Sequence, residues 1–192
     1  PEIRNGYNDP PADMFSSNGF REGYAELGKR DLTFEGWCFH HQIPLLTDLA
    51  RDYPNITMIL DHFGGPIGIG PYAGKQDEVF DLWKQNIADL AECENVVAKL
   101  GGINMKVNGF NWHKNSKPPT SEELCEETRR YYEHTIECFG VDRCMFESNF
   151  PVDKITCSYH TLWNSFKRLT EKYSADEKAK LYHNTAARVY RI

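Results

Sequence analysis

Two histidines stand where an apolar run gives way to polar residues: His40, at the end of LTFEGWCF, and His62, after ITMIL. An imidazole at such a place can bind a metal, polarise a carbonyl or move a proton near neutral pH. The plainer alternative is a buried, hydrogen-bonded ring. His62 departs from the plain case in its setting, because Asp61 precedes it and the turn Gly64-Gly65-Pro66 follows. His40 is next to His41, and adjacent residues of an extended chain point to opposite faces. One of the two therefore faces a shared cavity while the other packs or is solvated. Gln42 offers an amide contact to substrate.

The run RCMFES, continued by Asn149-Phe150-Pro151, carries a second constellation. On a strand, Met145, Glu147 and Asn149 share one face. With Asn149 at the mouth, Glu147 points inward one layer below. A buried carboxylate needs a partner or a raised pKa, and Lys99, near the end of NVVAKLGG, is the expected partner. The alternative is a Glu147 that meets solvent at a rim. Gly68-Ile69-Gly70-Pro71-Tyr72-Ala73 matches the spacing of a dinucleotide fingerprint, but no strand leads into it and Pro71 removes an amide from the phosphate cradle. It reads instead as a lid over the strand ends. In Phe110-Asn111-Trp112-His113, Trp112 and His113 either line a pocket or pack on its wall.

The elements that must position these residues follow a rhythm. Residues 1–30 are rich in Pro, Gly and Asn and predict an irregular lead-in with at most one short helix. Residues 31–192 alternate strand-like and helical runs four times and end in a C-terminal helix, so 1–192 reads as a single domain. Thr120 with Glu123, and Ser174 with Glu177, have capping-box spacing. The final helix is expected to bury Leu181, Tyr182, Thr185, Val189 and Tyr190. Alternation of this kind implies a parallel α/β sheet. Polar residues gathered at successive strand ends favour a TIM barrel over an open sheet, because barrel chemistry sits at strand C-termini.

Composition excludes several classes. A net charge of −6 with scattered Lys and Arg argues against a nucleic-acid partner. No apolar run approaches the roughly 20 residues of a membrane span. Six cysteines without CxxC spacing read as reduced and buried, which points to the cytoplasm. The missing initial Met points to processing or to a partial sequence.

Taken together, ILDHFGGP, FHHQ, VVAKLGG, MFESNFPVD and NTAARVYRI resemble motifs of the amidohydrolase-related TIM-barrel hydrolases. That group includes 2-pyrone-4,6-dicarboxylate lactonase, sugar lactonases and, more distantly, non-oxidative decarboxylases. The resemblance implies the C-terminal half of a (β/α)8 barrel, strands five to eight, with His40 and His62 on functional positions. Asn149 stands where the family has an aspartate base. A neutral amide cannot take a proton near pH 7, so Glu147 or Asp153 replaces the base, or Asn149 only orients substrate, or this branch has lost hydrolysis.

The expected function is hydrolysis of a small lactone or related cyclic ester or amide. A carboxylate on the last strand would deliver water, while His40 and His62 hold the oxyanion. The alternatives are a metal-dependent decarboxylase and a degenerate, non-catalytic barrel. The resemblance implies either one divalent metal, zinc or manganese, with His62 as a ligand, or action without metal. Four parallel strands leave two open edges. The chain alone is therefore expected to be inactive and to pair with a missing N-terminal half or with itself.

Overall fold

The computed structural model describes Ile3 and residues 10–192. The lead-in is more ordered than its composition predicts. A twelve-residue helix, α1 (Asn18–Lys29), starts at Ser17, whose hydroxyl accepts from the Phe20 amide. Phe20, Tyr24 and Leu27 recur at helical spacing, and the stripe they form packs on the first strand and on the end of the helix that follows it: the Tyr24 ring lies 5.0 Å from Phe34 and 5.3 Å from Tyr53. Packing of that stripe outweighs the turn-forming residues around it.

Four short strands follow: β1 (Phe34–Gly36), β2 (Met58–Leu60), β3 (Val96–Leu100) and β4 (Cys144–Phe146). They pair in parallel in chain order. Crossover helices α2 (Ile43–Asp52), α3 (Gln76–Ala91) and α4 (Ser121–Phe139) separate them, and α5 (Tyr159–Leu169) packs on α4. Both expected capping boxes form, at Thr120–Glu123 and Ser174–Glu177. The closing helix is interrupted rather than uniform: α6 (Ala175–Ala179) runs through a π turn at Lys180–Asn184 into α7 (Thr185–Tyr190).

The two faces of the sheet have different fates. Met58, Leu60, Val96, Ala98, Leu100, Cys144 and Phe146 join the main core under the helices, with Trp83, Ile87 and Phe166 fully buried among them. On the opposite face Ile59, Val97 and Met145 form a separate small cluster with Val189 and Ala186 of α7. The C-terminal helix thus covers the base of that face. Tyr190, expected to be buried, lies at its margin and donates its hydroxyl to Glu35 at 2.6 Å. One step further along the same parity, toward the strand C-termini, the apolar layer is replaced by Asp61, Lys99 and Glu147.

All six cysteines are free thiols, five of them buried. Among the described residues, no helix is long and apolar enough to cross a membrane.

Candidate active site

Successive same-face residues rise from Ile59 to Asp61, from Val97 to Lys99 and from Met145 to Glu147, so three charges meet directly above the apolar layer. The Lys99 Nζ lies 3.0 Å from Asp61 Oδ1, 3.3 Å from Glu147 Oε2 and 3.2 Å from Glu35 Oε2. The other Glu147 oxygen is 2.5 Å from His62 Nδ1. Asp61, His62, Lys99 and Glu147 all keep less than a fifth of their side-chain surface, whereas Glu35 is 39% exposed. The expected Lys99–Glu147 pair therefore forms, and it belongs to a larger network that His62 completes.

Local backbone geometry aims His62 at Glu147. His62, Phe63, Gly64 and Gly65 all have positive φ, so the chain turns abruptly off β2. Non-glycine residues in that region are strained by roughly 1–2 kcal/mol each. The buried Trp83 indole donates to the Phe63 carbonyl and holds the turn from below. Across the sheet, β3 ends in Gly101-Gly102. A Cβ on Gly101 would lie 2.4 Å from Glu147 Cγ, and one on Gly102, whose φ is +75°, would lie 2.6 Å from the His62 ring. These glycines are needed for the two side chains to meet. Their role was invisible without the register, although the pair itself stands in the sequence.

Charge follows from this packing. Burial opposes ionisation of both His62 and Glu147, but each supplies the other with a hydrogen bond and an opposite charge. The His62 pKa is raised and the Glu147 pKa lowered. Burial raises the Asp61 pKa against the pull of Lys99. Desolvation opposes the Lys99 charge, but Glu147 and Asp61 outweigh it and hold the ammonium charged.

The remaining predicted residues fall into separate settings. His40 is buried in a 3-10 turn after β1, where Nδ1 accepts from the Ile67 amide at 3.3 Å and the ring packs edge-on against Tyr72. Burial, aided by His41, pushes its pKa down to about 4, so it is a neutral ring serving the 64–72 loop. The Gln42 side chain accepts from the Phe39 amide and caps the same turn. Trp112 stacks on Phe110 at the periphery of the main core, and His113 beside it is half-buried. Asn149, with φ +51°, donates to the fully buried Asp153 at 2.8 Å. Burial pushes the Asp153 carboxyl up to about 7, and its Oδ2 is buried with no hydrogen-bond partner.

A cavity of about 290 Å³ is walled by Ile3, by Trp37 and Phe39 after β1, by Met105, Lys106 and Val107 after β3, and by Val152 and Ile155 after β4. Trp37 links it to the network, its ring 6.4 Å from that of His62.

Ligand atoms of Asp61, His62 and Glu147 lie within 4.8 Å of one another, a donor set of a type suited to a divalent ion. In this geometry, however, the Lys99 ammonium already bridges both carboxylates, and the His62 nitrogen facing Glu147 is hydrogen-bonded to it. A dication placed among the three would sit against a buried ammonium. As arranged, these residues do not fit a metal held between them.

The sequence profile of the amidohydrolase family matches residues 3–192. The chain belongs to the amidohydrolase family. An uncharacterised protein of Sinorhizobium fredii is 38% identical over 173 residues, covering 90% of this chain and 52% of that protein. An L-fucono-1,5-lactonase of Burkholderia multivorans is 26% identical, covering 90% and 56%. Among solved structures, a Burkholderia multivorans amidohydrolase with bound zinc superposes with a TM-score of 0.81 at 24% identity, covering 94% of this chain and 60% of that one. This chain spans about half the length of the curated relatives it matches.

Proposed function

We propose that the chain carries strands five to eight of a (β/α)8 barrel whose active site hydrolyses a small lactone. Support for the barrel is the parallel order β1-β2-β3-β4, with charged residues drawn from three strand ends. The open edges, β1 and β4, would be closed by an N-terminal half or by a second copy.

The 2.5 Å contact between His62 Nδ1 and Glu147 Oε1 carries the chemical reading. A carboxylate fixed on Nδ1 holds the imidazole in one tautomer and stabilises the cation that forms when Nε2 takes a proton. Lys99 clamps the other carboxylate oxygen, so Glu147 orients rather than abstracts. Water loses a proton to His62 Nε2 as its oxygen adds to the lactone carbonyl carbon. The ring C–O bond then breaks, and the same proton passes from Nε2 to the departing alkoxide, leaving a hydroxy acid. His62 takes the proton-transfer role that Asn149 cannot fill, while Asn149 positions Asp153. A decarboxylase reading is less favoured, since it calls for a metal that these residues do not fit.

The test is the pH dependence of lactone hydrolysis. His62 must be neutral to act as base, so kcat/KM rises with pH along one limb whose apparent pKa lies above 6.5. A rate that falls with pH between 6 and 8 would contradict the assignment.

A further inference from the structure

We infer that the substrate is a lactone or ester with an alkyl or aromatic body, and not a polyhydroxylated sugar lactone. The reaction rests on the hydrolase reading of His62 and Glu147; the substrate class rests on the cavity beside them. That cavity, about 290 Å³, suits one ring system with a short substituent. Seven of its described walls are apolar, Ile3 and one pair each from the loops after β1, β3 and β4, so the apolar character is general and not the accident of one side chain. Among the described lining residues, the exposed Lys106 and the Trp37 indole are the ones that carry a side-chain polar group. A sugar lactone would bring several hydroxyls into this space and lose their water without recovering partners. An aryl or alkyl body loses nothing there and covers apolar surface that is otherwise wet: Val152 is 55% exposed and Ile155 45%. Trp37 sets the register, because its ring touches the cavity on one side and approaches His62 on the other. A body stacked on Trp37 brings an attached carbonyl toward the imidazole.

The protein closed into its complete barrel is titrated with dihydrocoumarin and, separately, with galactono-1,4-lactone. Binding is read as the tryptophan emission change that disappears in Trp37→Phe, and turnover as product formed. Dihydrocoumarin is expected to give a saturable Trp37-dependent change, with none from the sugar lactone at tenfold higher concentration. The exposed-site variant Val152→Asn should weaken dihydrocoumarin binding about tenfold. Equal or better binding of the sugar lactone, no binding of dihydrocoumarin, or unchanged affinity in Val152→Asn would overturn the inference. The two readings separate cleanly. Dihydrocoumarin bound at Trp37 but never hydrolysed upholds the apolar pocket and removes the hydrolase assignment. Hydrolysis of the sugar lactone alone upholds the hydrolase and overturns the pocket's specificity.

Discussion

Replacing Lys99 by Met removes one cation from among three carboxylates while keeping most of the side chain's volume. At an effective dielectric of about 20, a unit pair at 3.0–3.3 Å is worth roughly 5 kcal/mol before desolvation. Asp61 and Glu147 are about 15% exposed and feel most of this; Glu35, at 39%, is screened and adds little. Removing one partner of a buried pair typically costs 3–5 kcal/mol, so a loss of about 3–4 kcal/mol is expected at pH 8. With a urea m-value near 2 kcal/mol/M, the unfolding midpoint drops by roughly 1.5–2 M. The sign of the pH dependence is also fixed. Without the ammonium, the folded pKa of Asp61, already raised by burial, moves further above its unfolded value, while Glu147 keeps only His62 against its own burial; ionised Asp61 then destabilises the protein at high pH. That penalty lifts as pH falls through the raised value and the group protonates. The deficit should shrink to about 1 kcal/mol near pH 5. Urea titrations of both proteins at pH 5 and 8 measure it; equal midpoints at pH 8, or a larger deficit at pH 5, would refute the network.

Gly102→Ala places a methyl group 2.6 Å from the His62 ring at a φ of +75°. It should destabilise by about 1–3 kcal/mol in thermal melts and shift the His62 ring resonances, whereas an unchanged spectrum would mean that the ring does not lie there. Glu147→Gln removes the charge that raises the His62 pKa but leaves its burial. In an NMR titration the pKa should fall from above 6.5 to below it, and a value that stays put would assign the shift to another group. Protonated His62 stabilises the native protein at low pH, and this contribution is lost as pH rises through the folded pKa; Glu147→Gln should reverse that slope.

Much of the scaffold was legible because each element announces itself locally. The alternation of apolar runs gave the four strands, and Thr120–Glu123 and Ser174–Glu177 marked two helix starts by side-chain chemistry alone. Strand parity led to the Lys99–Glu147 pair. What escaped depends on register between distant segments. That Glu147 meets His62, and that Gly101 and Gly102 make room for it, requires knowing which residues of β2, β3 and β4 lie at one height. His40 lies apart from this network. Its place after a strand looked catalytic, but the chain turns immediately into a 3-10 helix and buries the ring against the 64–72 loop. The lead-in misled for a similar reason, since three aromatic or aliphatic residues at helical spacing outweighed glycine-rich composition.

The most direct test of the account is the rate of lactone hydrolysis by His62→Asn, measured on protein closed into its complete barrel and shown by circular dichroism to be folded. Asparagine keeps a polar group near Glu147 but cannot take a proton, so kcat should fall by about 10²–10⁴-fold with little change in KM. Hydrolysis at the unmodified rate would show that the imidazole beside Glu147 is not the group that activates water.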